Sequence, residues 1–322
     1  MASCQALALA TALGAAGFVA LGPLQAVAQT RAPAAAAKVP TVFACEPEWA
    51  ALVRVLLPQA KLHVATHARQ DPHHIEARPA LIAQLRRADL AVCTGAGLEA
   101  GWLPMLQQRA ANPRVQDGQP GLFFAADQVR LIDPRPATLN PFAGDVHPEG
   151  NPHLHADPGR LVQVAAALAA HLARLWPDQA VEIGRRHADW SVRWQAHRAR
   201  WQREGQRLQS LRVAAQHTTF GYLWHWLGME MVADLEPRPG MPPTPGHLGA
   251  LREQLRSQPP AAIVVASHQD ARSAHWLGRQ LDQRSPVLVV PATVEDPDQP
   301  EALVRWFDTV LQALLVAADT PR

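Results

Sequence analysis

Residues 39–65 read VPTVFACEPEWAALVRVLLPQAKLHVA, and this stretch decides the fold. The apolar run 39–45 suits a buried strand, residues 47–57 have the periodicity of an amphipathic helix, and residues 61–65 suit a second strand. The same alternation continues with a helical pattern and a further apolar run, at residues 78–87 and 89–93. Strands that alternate with helices in this way predict a parallel sheet with helices on its faces.

The second half of the chain repeats this alternation. Strand-like runs and helical patterns take turns there, with strands at 212–215, 261–266 and 286–290, helices at 220–227, 247–257 and 272–283, and a proline-rich loop at 236–245. Between the halves, residues 158–208 carry almost no strand signal and their apolar residues recur at helical spacing. Pro177 divides this stretch, which therefore predicts two helices, at least one of them long enough to be a rigid strut. The fold class that follows is α/β, with two lobes that each contain a parallel sheet flanked by helices, joined by a long helical strut.

The first 28 residues contain no Asp, Glu, Lys or Arg. An apolar run from Ala6 to Gly22 ends near Ala26-Val27-Ala28, which is typical of a secretory signal peptide with its cleavage site. Because no Lys or Arg precedes this run, its retention as an N-terminal membrane anchor is the alternative. We expect five segments: a signal peptide at 1–28, a flexible lead-in at 29–39, an N-terminal lobe at 40–157, a helical linker at 158–208 and a C-terminal lobe at 209–322.

The composition limits the classes of partner. Among 322 residues, 30 are Lys or Arg and 28 are Asp or Glu, the formal net charge is +2, and 48% are hydrophobic. This is the composition of a globular protein with one large or two medium domains. Since nucleic acids and anionic membranes both select a basic protein surface, the balanced charge argues against either partner.

Two cysteines fit an exported protein. Cys45 and Cys93 end the first and third predicted strands of the N-terminal lobe. Doubly wound sheets commonly place these strands side by side, about 4.8 Å apart, a separation that a disulfide can span. An oxidising compartment would close the bridge, and two buried free thiols are an equal alternative. A metal site with two cysteines is disfavoured because no CxxC or CxxH spacing lies nearby.

Histidine placement carries the functional argument. Three of the 15 histidines lie at the ends of predicted elements. His73 is in the loop after the second strand, His153 precedes a helix that begins at Asp157-Pro158, and His217 directly follows a strand of the other lobe. Ligands of open α/β sheets bind outside the carboxyl ends of the strands. For one such histidine a structural role is the simpler interpretation, but the three together predict a metal ion in the cleft between the lobes.

Several short motifs occur in an order and spacing that resemble a known family. They include Gln70-Asp71-Pro72-His73, Ala88-Asp89-Leu90-Ala91-Val92, Gly150-Asn151-Pro152-His153 and His217-Thr218-Thr219-Phe220-Gly221-Tyr222. From about Val39 to the C-terminus the chain resembles the ZnuA-like zinc and manganese solute-binding proteins of ABC transporters, which are periplasmic receptors. The resemblance implies that His73, His153 and His217 are metal ligands and that an ABC transporter membrane permease is the partner. We expect a periplasmic monomer.

The chain departs from the family pattern at the fourth metal position. The family usually has an Asp shortly after the last strand of the second lobe, where this chain reads Val290-Pro291-Ala292-Thr293. Asp270 is our candidate for the fourth ligand, with His268 and a water molecule as alternatives, and Asp270 could instead cap the following helix. Zinc-specific members often carry a long histidine-rich loop before the Asn-Pro-His motif. This chain has only His147 there, so any ion-gathering role of that loop is expected to be lost or minimal.

The donor set predicts the metal and the kind of function. Three imidazoles with at most one carboxylate suit tetrahedral Zn²⁺, whereas Mn²⁺ prefers oxygen ligands, and copper or nickel could bind such a site more tightly. The sequence contains no HExxH, GxSxG or glycine-rich phosphate loop, which argues against an enzyme. The expected function is capture of Zn²⁺ for an ABC permease. A zinc-buffering or adhesion protein of the same fold is the main alternative, and a zinc hydrolase is the less favoured one.

Overall fold

A computed structural model describes residues 38–135, 145–282 and 285–319 of the chain. The predicted signal peptide at 1–28 and almost all of the lead-in lie outside the described residues. None of the helices in the described part combines the length and the apolar character that crossing a membrane requires.

The first lobe contains a parallel sheet of four strands in the order β2-β1-β3-β4. The strands are β1 (Thr41–Ala44), β2 (Lys61–Val64), β3 (Leu90–Cys93) and β4 (Leu122–Phe124), and the helices between them are α1 (Pro47–Leu56), α2 (Pro79–Arg87) and α3 (Leu103–Ala110). In the register of β1 and β2, Thr41 lies opposite Lys61 and Ala44 opposite Val64. Strands β1 and β3 are neighbours, as the sequence predicts for a doubly wound sheet.

The second lobe repeats this topology with the strand order β6-β5-β7-β8, again all parallel. Its elements are β5 (Arg212–Ala215), α6 (Gly221–Leu227), β6 (Glu230–Asp234), α7 (Pro245–Leu255), β7 (Ala262–Ala266), α8 (Arg272–Gln280), β8 (Val287–Val290) and α9 (Ala302–Asp319). The two-lobe α/β prediction is confirmed. In each lobe, the loop that carries a candidate ligand starts at the carboxyl end of a strand. His73 follows β2 in the first lobe, and His217 follows β5 in the second.

The central strands are buried on both faces, which explains their unbroken apolar sequence. In β1, Val42 and Ala44 point into a large core shared with the long helices, whereas Phe43 packs on the opposite face with helices α2 and α3. Successive side chains alternate between the faces of a strand, so one short run supplies two cores. The outer face of the second sheet has a third core of its own, around Ile263 and Leu277.

Two consecutive helices join the lobes: α4 (Pro158–Leu175) and α5 (Ala180–Gly205). Helix α5 has 26 residues and is therefore about 39 Å long. Its buried face carries Trp190, Trp194 and Trp201. The ring centroids of Trp194 and Trp201 lie 5.6 Å and 4.8 Å from that of Phe307 in α9. The indole N–H of Trp194 donates to the carbonyl oxygen of Pro158 at 2.8 Å. Because α5 also packs on α1, one rigid helix contacts elements of both lobes.

The two candidate cysteines are joined. Cys45 and Cys93 form a disulfide whose Cα atoms are 4.8 Å apart, at the carboxyl ends of adjacent strands. Both side chains are fully buried. The alternative of two free thiols is therefore wrong for this structure.

Candidate metal site

Three imidazoles meet in the cleft between the lobes. Each of His73, His153 and His217 offers a ring nitrogen, and these nitrogens all lie within 4.8 Å of one another. The ring centroids form a triangle with all three sides equal to 5.4 Å. All three residues are buried, with exposed fractions of 8%, 3% and 6%. The structure thus brings together the three histidines that the sequence singles out.

Carboxylates hold two of these rings by their outer nitrogens. The Nδ1 of His73 lies 2.8 Å from Oδ1 of Asp71, and the same oxygen accepts the backbone N–H of His73 at 3.0 Å. The Nδ1 of His217 lies 2.9 Å from Oε2 of Glu236, which also accepts the backbone N–H of Gly240 at 2.8 Å. Because a carboxylate accepts hydrogen bonds, it places the proton of each neutral ring on Nδ1 and leaves the lone pair on Nε2.

The backbone at His217 is unusual. Its φ is +67°, in the left-handed region that non-glycine residues rarely adopt. Asp234, the last residue of β6, accepts the backbone N–H groups of His217 at 3.0 Å and of Glu236 at 2.9 Å. One carboxylate thus fixes both the turn that presents the imidazole and the residue that orients its ring. Strained backbone of this kind persists where the surrounding structure enforces it, which is common at binding sites.

The Asn-Pro-His motif is tied to the other lobe through Asn151. Its side-chain oxygen accepts the backbone N–H of His153 at 2.9 Å, and its amide nitrogen donates to the carbonyl oxygen of Thr218 at 3.0 Å. The hydroxyl of Tyr222 donates to the carbonyl oxygen of Asn151 at 2.7 Å. The motifs around His153 and His217 are therefore hydrogen-bonded to one another, which holds their rings at a fixed distance.

The protonation equilibria of the rings differ with their surroundings. Burial, followed by the positive charge of neighbouring histidines, holds the pKa of His153 well below its ordinary value. Burial also opposes the charged form of His217, but the hydrogen bond and the negative charge of Glu236 outweigh it and raise the pKa of His217 above its ordinary value. His153 is therefore held neutral, whereas Glu236 favours a positive charge at His217, which either a proton or a metal ion can supply.

Asp270 does not join the three histidines. Within the described residues, the group whose ligand atoms all lie within 4.8 Å of one another does not include it. Its side chain is 53% exposed and forms an ion pair with Arg272, whose backbone N–H it also accepts at 3.0 Å. Asp270 thus stabilises the start of α8, close to the capping role that the sequence left open. The alternative His268 lines the same cleft, and its buried Nδ1 has no hydrogen-bond partner among the described residues.

Two arrangements near the three histidines are absent from the sequence prediction. The Nε2 of His147 lies 3.2 Å from Nε2 of His73, although the sequence predicts little role for the loop that carries it. On the opposite wall, Nδ1 of His155 lies 3.2 Å from Oε1 of the buried Glu48, and Nε2 of His155 lies 2.9 Å from the carbonyl oxygen of Ala292. The sequence signal for His155 was its place in the same motif as His153, two residues further along the chain.

The cleft lined by His73, His153, His155 and His217 has a volume of about 440 Å³ and receives residues from both lobes. Its histidine nitrogens can bind a small divalent cation of borderline softness. Asp71 and Glu236 lie behind the rings and supply negative charge that compensates such a cation.

Comparisons with solved structures support the same fold. A crystal structure of ZnuA is 17% identical in sequence, with a TM-score of 0.69, and the alignment covers 86% of this chain and 100% of that chain. The periplasmic zinc-binding protein TroA from Treponema pallidum is 16% identical with a TM-score of 0.72, covering 88% and 100%. The solute-binding protein FpvC from Pseudomonas aeruginosa, solved with Ni²⁺, is 20% identical with a TM-score of 0.68, covering 88% and 100%.

A family model gives the assignment. No curated protein matches the sequence significantly. The model described as "Zinc-uptake complex component A periplasmic" matches residues 42–317, which is most of the chain and includes both lobes. Members of this family are periplasmic metal carriers of ABC uptake systems and not enzymes. The chain therefore belongs to the ZnuA family of periplasmic metal-binding receptors.

Proposed function

We propose that this protein captures Zn²⁺ through His73, His153 and His217 and delivers it to an ABC transporter permease for uptake. The observation that carries the proposal is the convergence of three buried imidazoles, two of them with their Nδ1 held by carboxylates. Metal-binding histidines characteristically place the outer nitrogen on a carboxylate or carbonyl oxygen in this way.

The spacing of the nitrogens favours zinc. The Nε2 atoms of His153 and His217 are 3.3 Å apart. In a tetrahedral site with Zn–N bonds of about 2.0–2.1 Å, two ligand nitrogens are about 3.3–3.4 Å apart. Nitrogen-rich donor sets suit zinc better than manganese, which prefers oxygen ligands. The neighbour FpvC has been solved with Ni²⁺ and with Mn²⁺, so these ions are the competitors to measure against.

Capture involves both lobes. His73 and His153 belong to the first half of the fold and its connection to α4, whereas His217 follows β5 in the second. Because α5 packs on helices of both lobes, we expect a small rearrangement on binding and not a wide closure. The loaded receptor would then dock on the permease, which removes the ion.

Zinc titration of the mature chain tests this proposal. We expect one Zn²⁺ per chain, not displaced by equimolar Mn²⁺, and strongly weakened binding in each of His73→Ala, His153→Ala and His217→Ala with unchanged circular dichroism. Wild-type affinity in all three variants would contradict it.

Delivery needs a separate experiment. The ATPase rate of a candidate ABC permease, reconstituted in vesicles, should rise with zinc-loaded receptor and not with metal-free receptor. An equal rate with both forms would favour the buffering or adhesion alternatives. One structural neighbour, the laminin-binding adhesin Lmb from Streptococcus agalactiae, has this fold at 18% identity.

A further inference from the structure

His147 lies against the three-histidine group although it belongs to a different segment of the chain. Its Nε2 is 3.2 Å from Nε2 of His73, and the two ring centroids are 5.3 Å apart, close to the 5.4 Å that separates the other rings. Its Nδ1 is 3.1 Å from the carbonyl oxygen of Ala96. The ring is thus held from behind and presents Nε2 to His73. Among the described residues, the group whose ligand atoms all lie within 4.8 Å of one another does not include His147, so a shared metal would have to draw its ring closer to His153 and His217.

The backbone around His147 is shaped to hold it there. Gly97 has φ +80°, and a Cβ at this position would lie 3.3 Å from Nδ1 of His147, so the glycine leaves room for the ring. The backbone N–H of Asp145 donates to the carbonyl oxygen of Pro239 at 3.0 Å, which anchors the same loop to the second lobe. Both lobes therefore fix the approach of His147 to His73.

The hydrogen bonds leave two lone pairs facing each other. A carbonyl oxygen only accepts, so neutral His147 carries its proton on Nδ1, and its Nε2 has a lone pair. The carboxylate of Asp71 has the same effect on His73. Two lone pairs at 3.2 Å repel unless a proton or a metal ion lies between them, and 3.2 Å is close to the spacing of about 3.3–3.4 Å for two nitrogens on one tetrahedral zinc.

We propose that His147 is the fourth ligand, so that the metal is bound by four imidazoles and no carboxylate. This inference rests on the proposed function, since it adds a ligand to the same site. Zinc with four neutral ligands keeps its full charge of +2, which Asp71 and Glu236 compensate from behind the rings. Such a site would bind Ni²⁺ and Cu²⁺ more readily than one with a carboxylate, and Mn²⁺ less readily.

The other candidates for the fourth position are engaged elsewhere or lack contact with the rings. Asp270 is paired with Arg272 at the start of α8. Asp71 and Glu236 already bind the outer nitrogens of two ligands. His268 lies in the cleft with a free Nδ1, but the ring contacts within the described residues connect His73 to His147 and not to His268.

The test counts imidazoles at the metal. X-ray absorption at the zinc edge on the loaded full chain should give four histidines in the wild type and three with one oxygen in His147→Ala. Chelator competition should show a loss of at least about tenfold in zinc affinity, because even outer-sphere partners of a metal ligand cost that much. His147→Gln, which keeps a neutral polar side chain in the loop, should behave as His147→Ala. Thermal melting of the metal-free variants should match the wild type.

His74→Ala is the matched control. His74 is next to His73 in the sequence, and its Nε2 lies 3.7 Å from Oδ2 of Asp145, which is in the loop that carries His147. Its side chain is nevertheless 66% exposed. We expect four imidazoles and wild-type affinity in this variant.

The outcomes separate this inference from the proposed function. If His73→Ala abolishes binding while His147→Ala keeps the wild-type affinity and imidazole count, the fourth-ligand inference is overturned and the zinc receptor stands. If His268→Gln lowers the count and His147→Ala does not, His268 is the fourth ligand and the inference is also overturned. If the wild type binds no zinc, the proposed function itself fails.

Discussion

His217 and Glu236 form a buried pair at the candidate metal site: Nδ1 of His217 lies 2.9 Å from Oε2 of Glu236, and their side chains are only 7% and 8% exposed. Glu236 is fixed in turn by the backbone N–H of Gly240, in the proline-rich loop. The pair therefore links the orientation of a candidate ligand to a loop that the sequence marks only by its prolines and glycines.

Replacing Glu236 with Gln should weaken zinc binding by about 10- to 100-fold, the usual effect of losing an outer-sphere carboxylate. The glutamine keeps the size of the side chain but removes the charge that favours a cation on His217. Chelator competition at constant pH measures the loss. The exposed Glu253, which pairs with Arg252 on α7, supplies the control Glu253→Gln, for which we expect wild-type affinity. Equal affinity in both variants would show that Glu236 has only a structural role.

Asp270→Ala should leave zinc affinity unchanged. The carboxylate is exposed and its partner is Arg272. We expect a small loss in the free energy of unfolding, because Asp270 accepts the backbone N–H of Arg272 at the start of α8. Zinc titration and urea unfolding of the same preparation decide the question. A clear loss of affinity would return Asp270 to the metal site and exclude the arrangement of four imidazoles.

The Cys45–Cys93 bridge should contribute about 4 kcal/mol to stability, since it closes a loop across a sequence separation of 48 residues. The double variant Cys45→Ala/Cys93→Ala should therefore unfold at a lower urea concentration. In the wild type, unfolded without reductant, a thiol reagent should detect neither cysteine, and reduction should expose both. Two reactive thiols before reduction would contradict the bridge.

The sequence predicts the part of the fold that depends on local pattern. The runs at 39–45 and 89–93 are apolar throughout because their strands are buried on both faces, and both strands are found within those bounds. Strands β4 and β6 are not predicted from apolar runs. β4 has only three residues, and β6 at the edge of its sheet begins with Glu230 and ends with Asp234, so neither gives an unbroken apolar run.

At the site, the sequence predicts His73, His153 and His217 as ligands because each lies next to the end of a predicted strand or helix. This position is visible in the local sequence. His147 could not be found in this way. Its approach to His73 depends on Ala96 and on a loop anchored at Pro239, contacts between segments far apart in the sequence. The two carboxylates behind the rings differ in the same way. Asp71 is two residues from His73, to which it is hydrogen-bonded, whereas Glu236 is 19 residues from its partner His217.

The buried carboxyl group of Glu99 should make the stability of the metal-free protein depend on pH. Burial raises its pKa to about 7, although the backbone N–H groups of Gly95 and Thr94 favour its charged form. Because the folded pKa lies above the ordinary value, the stability that protonation of Glu99 contributes is complete below about pH 4.5 and is lost as the pH rises through about 7. Relative to Glu99→Gln, the wild type should lose stability over this range. Urea unfolding at several pH values measures the difference, and a constant difference would contradict the raised pKa.

Zinc affinity should also fall as the pH is lowered, and His217 should determine where the fall begins. Burial alone would lower the pKa of His217, but Glu236 raises it above the ordinary value, whereas burial keeps the pKa of His153 low. Zinc binds neutral imidazole, so below the pKa of His217 it must displace that proton, and the affinity should drop up to about tenfold per pH unit.

The onset of this fall should therefore lie above about pH 6.5, the value for a free imidazole. In Glu236→Gln the group that raises the pKa of His217 is gone, so the onset should move to lower pH even though the affinity at high pH is weaker. His153 stays neutral through the same range and should not contribute a second step until the solution is more acidic. Competition titrations between about pH 5 and 8 follow both curves. A wild-type affinity independent of pH would contradict binding by imidazoles, and an unchanged onset in Glu236→Gln would assign the first proton to another ring.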